Sequence, residues 1–151
     1  MKTLKQHIFE KLKVGVRNTT KHTLFPKTKD ELKQIIEKEI SKNGYECSLN
    51  HIDVSKITDM TALFYGSDFN GDISDWDVHN VTTMQGMFAF SKFNGNISNW
   101  NVSNVTNMSE MFYRSKFIGD ISNWDVSNVK DMVGIFSNSP LENNPPKWYK
   151  K

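Results

Sequence analysis

Large apolar residues return along this chain at one fixed interval. Between residues 45 and 148 they recur every 24 positions without an insertion. Trp76, Trp100 and Trp124 make one column, continued by Trp148 and preceded by Ile52. Phe69, Phe93 and Phe117 make a second, flanked by Tyr45 and Leu141. Val54, Val78, Val102 and Val126 make a third, and Met60, Met84, Met108 and Met132 a fourth. Phe64, Phe88, Phe112 and Phe136 follow, and then Ile57, Val81, Val105 and Val129. A unit of this length cannot enclose a core alone; stacked units can, because each column becomes a continuous ladder.

Two short elements are predicted in each unit. Over residues 73–78, Trp76 and Val78 alternate with polar neighbours, the pattern of a half-buried strand. Over residues 81–88 the spacing of Val81, Met84, Met87 and Phe88 fits a short helix, with Asn80 or Thr82 at its N-cap. The turn Asn70-Gly71 or Asn94-Gly95 returns the chain to the next unit. The expected fold is therefore α/β: a right-handed leucine-rich-repeat-type solenoid of 24-residue strand-helix units with an N-terminal helical cap.

The motif over residues 69–88 reads Phe-Asn-Gly-Asp-Ile-Ser-x-Trp-Asp-Val-x-Asn-Val-Thr-x-Met-x-x-Met-Phe. It resembles the BspA-like leucine-rich repeat, also known from mycoplasma-type surface lipoproteins. The resemblance covers about residues 45–148 and implies a right-handed strand-helix solenoid. For exported members it implies adhesion to host proteins. The chain departs from those members in showing no signal peptide, lipobox cysteine or wall anchor.

The ends read differently from the middle. Residues 23–44 are expected to cap the stack with a helix over 28–42. Thr28 and Glu31 have capping-box spacing, Leu32, Ile35, Ile36 and Ile40 share a face, and Gly44 stops the helix. Residues 140–148 form the expected C-terminal cap of the 45–148 repeat region, with Pro145 and Pro146 discouraging further pairing. Residues 1–22 place Leu4, Ile8, Phe9 and Leu12 at helical spacing beside Lys5, Lys11 and Lys13. They read either as a helix packed on the cap or as a separate docking helix.

Charge follows the same division. Residues 1–42 carry 11 Lys or Arg against 5 Asp or Glu, whereas residues 43–151 carry 8 against 12. The basic start has no apolar core of the kind a secretion signal needs, and no apolar run reaches membrane-spanning length. A cytoplasmic or virion-associated protein is expected rather than an exported one.

Candidate chemistry is sparse. No P-loop, dinucleotide or zinc-protease motif is present, and His7, His22, His51 and His79 share no ligand spacing, so no metal and no cofactor is expected. Cys47 is the single cysteine, expected to be a plain structural thiol. Asp72, Asn96 and Asp120 read as turn-capping side chains rather than a calcium site. Ser67, Ser91, Ser115 and Ser139 recur too regularly for a nucleophile and are expected to bond nearby backbone. The Asn80-Val81-Thr82 and Asn104-Val105-Thr106 sequons are by-products of the repeat.

What remains is a surface. Beside the Trp and Val columns lie Asp53, then Asp75, Asp77 and His79, then Asn99, Asn101 and Ser103, then Asn123, Asp125 and Ser127, with no Lys or Arg among them. This polar, acidic face is the expected binding site of a non-enzymatic interaction module. Its partner would be a protein or a carbohydrate, and carboxylates would repel nucleic acid. The alternative function is a structural or accessory component of a larger assembly such as a phage particle, anchored by the N-terminal helix.

Overall fold

A computed structural model describes residues 21–151. The apolar stripe of Leu4, Ile8, Phe9 and Leu12 lies outside the described residues. The first element, α1 (Lys29–Asn43), starts where Thr28 accepts the Glu31 N–H at 3.2 Å. The Glu31 carboxylate accepts the Lys27 N–H at 2.7 Å, one residue earlier than in a standard capping box. Asp30 and Glu31 in the first turn and Lys42 in the last suit the helix dipole. Gly44, at φ 86°, ends the helix by donating its N–H to Ile40 at 2.7 Å. Leu32 and Ile36 are buried against the repeat region.

From residue 45 onward the chain winds into stacked coils, each displaced from the last by the sequence period. The predicted strand-helix units do not form. Among the described residues there is no β-strand, only isolated parallel bridges such as Asp59 to Thr83, Thr83 to Asn107 and Asn107 to Asp131. Besides α1 the one helical element among the described residues is a 3-10 turn over Pro140–Glu142. The chain is therefore not a leucine-rich-repeat-type strand-helix solenoid.

The hydrogen bonds give the physical reason. In the segment read as a helix, Met84, Gly86, Phe88 and Phe90 donate their N–H groups to Asn107, Ser109, Met111 and Tyr113 of the next coil, at 2.8–2.9 Å. The alternate donors Met87, Ala89 and Ser91 close tight turns onto Met84, Gly86 and Phe88 at 3.1 Å. An α-helix would send every N–H back four residues within the segment. Here every second one leaves the coil. Gly86, at φ 59°, sits in the left-handed region that no helix interior uses. Overlapping turns advance by a few residues per corner, so they reproduce the apolar spacing of a helix.

The segment read as a strand is also made of turns. Trp76 donates to Ile73 at 3.2 Å and Val81 to Val78 at 2.9 Å. Its links to neighbouring coils are largely side chains. The indole N–H groups of Trp76, Trp100, Trp124 and Trp148 reach back to the carbonyls of Leu49, Ile73, Ile97 and Ile121 at 2.8–3.1 Å. Asn80, Asn104 and Asn128 donate from their amides to Ser55, His79 and Ser103 at 2.6–2.7 Å. Asn80 and Thr82 thus bond the previous coil instead of capping a helix.

The apolar columns fill the space between the two sides. Phe64, Phe88, Phe112 and Phe136 stack with centroids 5.6, 5.7 and 5.9 Å apart. Phe69, Phe93 and Phe117 stack at 6.2 Å, and Trp76 lies parallel to Trp100 at 6.3 Å. Met60, Met84 and Met108 are fully buried, and Met132 is half-buried at the last coil. Trp148 is half-buried against Phe136, and Tyr45 is exposed rather than continuing the Phe69 column. Gly71 is obligatory: a Cβ there would overlap the Cys47 carbonyl oxygen and come within 2.7 Å of the Phe69 ring.

Candidate interaction surface

The acidic rows beside the tryptophans lie on the surface. Asp75, Asp77, Asn99, Asn101, Asn123, Asp125 and Ser127 are exposed, and Asp53, His79 and Ser103 are half-buried. One row of them is locked by its own turns. Asp53, Asp77, Asn101 and Asp125 each accept the N–H two residues on, from Ser55, His79, Ser103 and Ser127, at 2.9–3.2 Å. These short polar side chains satisfy a corner donor that would otherwise face water alone. Asp77 also lies 2.6 Å from the His79 ring Nδ1.

The hydrogen bonds tune the carboxylates. Donation from Ser55 holds the Asp53 carboxyl below its usual pKa, with help from the nearby His22 and Lys56 charges. Ser127 does the same for Asp125. The face is thus a row of anionic or amide oxygens at fixed positions, one per coil.

The other recurring polar residues also serve the backbone. Asp72, Asn96 and Asp120 accept both the N–H and the hydroxyl of Ser74, Ser98 and Ser122, at 2.6–3.0 Å. Ser67 and Ser115 accept from Phe69 and Phe117, and Ser139 donates to the Phe136 carbonyl. The Ser91 hydroxyl differs, being buried with no hydrogen-bond partner. His51 lies 3.1 Å from Glu39, tying the first coil to α1. Cys47 is half-buried, and burial together with the Glu39 charge pushes its thiol pKa up. Among the described residues no three His, Cys, Asp or Glu side chains are grouped to hold a metal ion.

A second surface lies outside the recurring polar columns. At the outer edge of the turn segments, Tyr65 and Phe90 are 57% and 42% exposed, with ring centroids 5.4 Å apart. Tyr113 meets Phe90 edge-on at 5.3 Å. The Arg114 guanidinium lies over both rings, 5.7 Å from Phe90 and 5.5 Å from Tyr113. Lys116 is exposed nearby in sequence, and Lys92 pairs with Asp68 at 2.8 Å. The available signal was a failure of the repeat. Column 65, 89, 113, 137 reads Tyr, Ala, Tyr, Ser, and column 66, 90, 114, 138 reads Gly, Phe, Arg, Asn.

The stacked coils define a repeat protein. The chain belongs to the family described as "Mycoplasma protein of unknown function, DUF285", whose profile matches residues 31–148. No curated protein and no solved structure matches it. Among the described residues no helix is long and apolar enough to cross a membrane.

Proposed function

We propose that this chain is a non-catalytic interaction module that presents its polar, acidic face to a macromolecular partner. The observation carrying this reading is the row of Asp53, Asp77, Asn101 and Asp125, exposed or half-exposed and fixed by the turns they cap. Side chains already immobilised lose little further entropy on binding. Their sign suits a cationic protein segment or a hydroxyl-rich ligand, and like charge opposes nucleic acid. The recurring serines and aspartates spend oxygens on backbone donors, which supports a binding rather than a catalytic use. A relationship to BspA-like repeats rests on the motif over residues 69–88.

The test uses positions on this face that do not cap a turn. Asn99→Lys with Asn123→Lys should leave the melting midpoint nearly unchanged, since exposed substitutions cost within about 0.5 kcal/mol. Binding to a partner recovered by pull-down with the intact chain should fall sharply, because two cations now stand in the acidic field. Lysine at Gln85 and Val133, both exposed on the turn side, is the control and should leave binding intact. Equal binding by both pairs rejects the acidic face as the site.

A further inference from the structure

The aromatic edge and the acidic face are separate surfaces, and the edge is the harder of the two to explain by folding. The stack requires left-handed backbone at column 66, 90, 114, 138, where φ is 64° at Gly66, 58° at Phe90, 52° at Arg114 and 58° at Asn138. Glycine adopts this region freely and asparagine tolerates it, but a bulky Cβ-bearing residue meets a steric cost. Phe90 and Arg114 accept that cost while remaining substantially solvent-exposed. Burial therefore returns only part of it. Bulky residues held in disfavoured backbone on an exposed patch are a mark of binding sites.

The chemistry of the patch selects the partner. Exposed tyrosine, phenylalanine and arginine are the residues that dominate protein interfaces. Among the described residues no carboxylate forms an ion pair with Arg114. Its planar fork is stacked on two rings, so its outer N–H donors remain available for a carboxylate. Lys116 adds a second cation close by in sequence, and Asp68 offsets Lys92. The rings are inclined at 58° and 79° to one another. They do not form the parallel platform on which successive nucleobases stack. We propose that Tyr65, Phe90, Tyr113 and Arg114 form a second docking surface, for an acidic polypeptide segment carrying carboxylates beside aromatic or aliphatic side chains.

The experiment needs no natural partner. The full chain is titrated into a fluorescein-labelled peptide alternating aspartate with tyrosine and phenylalanine. The same peptide with lysine for aspartate and an oligothymidine of equal length are run beside it, and anisotropy is read. The acidic peptide should bind, and more weakly as salt is added. Phe90→Gly and Arg114→Asn install residues that the fold already uses in this column, at Gly66 and Asn138. Each should weaken binding by about tenfold or more while the melting transition stays cooperative. Asn99→Lys with Asn123→Lys should bind this peptide as well as the parent, which separates failure here from failure of the acidic face. Should Phe90→Gly unfold the chain, Arg114→Asn decides alone, since it removes no ring. Undiminished binding by Arg114→Asn, no binding by the parent, or preference for the lysine peptide or oligothymidine each overturns the proposal.

Discussion

On the turn side of the stack, Phe64, Phe88 and Phe112 give their backbone N–H groups to Met87, Met111 and Ile135 at 2.9 Å. On the tryptophan side, the indoles of Trp76, Trp100 and Trp124 and the amides of Asn80, Asn104 and Asn128 span the same gap. A backbone ladder is indifferent to the side chains it carries. Column 61, 85, 109, 133 accordingly reads Thr, Gln, Ser, Val. A ladder made of side chains has no such freedom, because each position must both fill the core and aim a donor at one carbonyl, as the indole N–H does. The strictness of the Trp and Asn columns and the looseness of the turn edge follow from this difference. So does the location of the aromatic patch, which occupies the side where substitution disturbs no inter-coil bond.

Removing an indole should therefore cost most. Trp100→Ala is expected to lose about 3–5 kcal/mol as a large-to-small change in the core. It also deletes the bond to Ile73 and the ring contact with Trp76. Trp100→Phe keeps an aromatic ring and removes the indole bond, while the Ile73 carbonyl keeps the Trp76 N–H, so about 0.5–1.5 kcal/mol is expected. Thermal melts of both check the comparison. If Trp100→Phe melts with the parent, packing alone holds the tryptophan side and the side-chain ladder is incidental.

The turn side should yield to a smaller, purely conformational change. A Cβ on Gly86 meets nothing within 4 Å, so Gly86→Ala isolates the cost of φ 59°. About 1 kcal/mol of destabilisation is expected, read from a urea midpoint. Ala62, at φ 55° in the same column, provides the converse. Ala62→Gly should be neutral or mildly stabilising, and a clear loss there would contradict left-handed turns at this column.

Acid should act mostly on the tryptophan side, where Asp53, Asp72, Asp120 and Asp125 are depressed against Asp59 on the turn side, and weakly. Hydrogen bonds from Ser122 and Ser127 hold Asp120 and Asp125 below the usual carboxylate pKa. For Asp72 burial pushes upward, but donation from Ser74 and Asn50 outweighs it and the net shift is down. A depressed folded-state pKa stabilises above the unfolded value, about 3.9. The contribution disappears as pH falls through the lower folded value. Stability should therefore decline below about pH 4. Asn96 and Asn101 make the same bonds without a titrating group. Asp120→Asn with Asp125→Asn should flatten part of the acid limb of a stability-against-pH curve, and an unaltered limb would assign acid sensitivity elsewhere.

How much could be read beforehand divides along the same line. The period, and the burial of Phe88, Trp100 and Met108, are legible because recurrence of large apolar residues alone demands an interior. Element type is not legible, because apolar spacing at 81, 84, 87 and 88 suits overlapping turns as well as a helix. The telling residue was Gly86, with Gly134 in the same column: a glycine at mid-helix twice over argues against a helix. The acidic rows were found from their alternation with Trp and Val. That Asp77 and Asn101 lock corners was hidden, since it depends on backbone direction. The aromatic edge is not legible from the period, because it lies where the repeat fails. Tyr65 and Tyr113 share a column, but Phe90 and Arg114 interrupt theirs.

The indole bonds all point one way. Each tryptophan donates to the coil before it, never to the coil after. The stack therefore has a head and a tail that are not interchangeable. Shortening it from the tail, coil by coil, leaves every remaining indole with its carbonyl. Shortening it from the head strips the acceptor from the next tryptophan and leaves a buried donor orphaned. A coil added at the tail finds its acceptor already in place, whereas one added at the head must supply it. In a chain that varies its length by whole coils, the tail is the end at which growth and loss leave the tryptophan ladder intact.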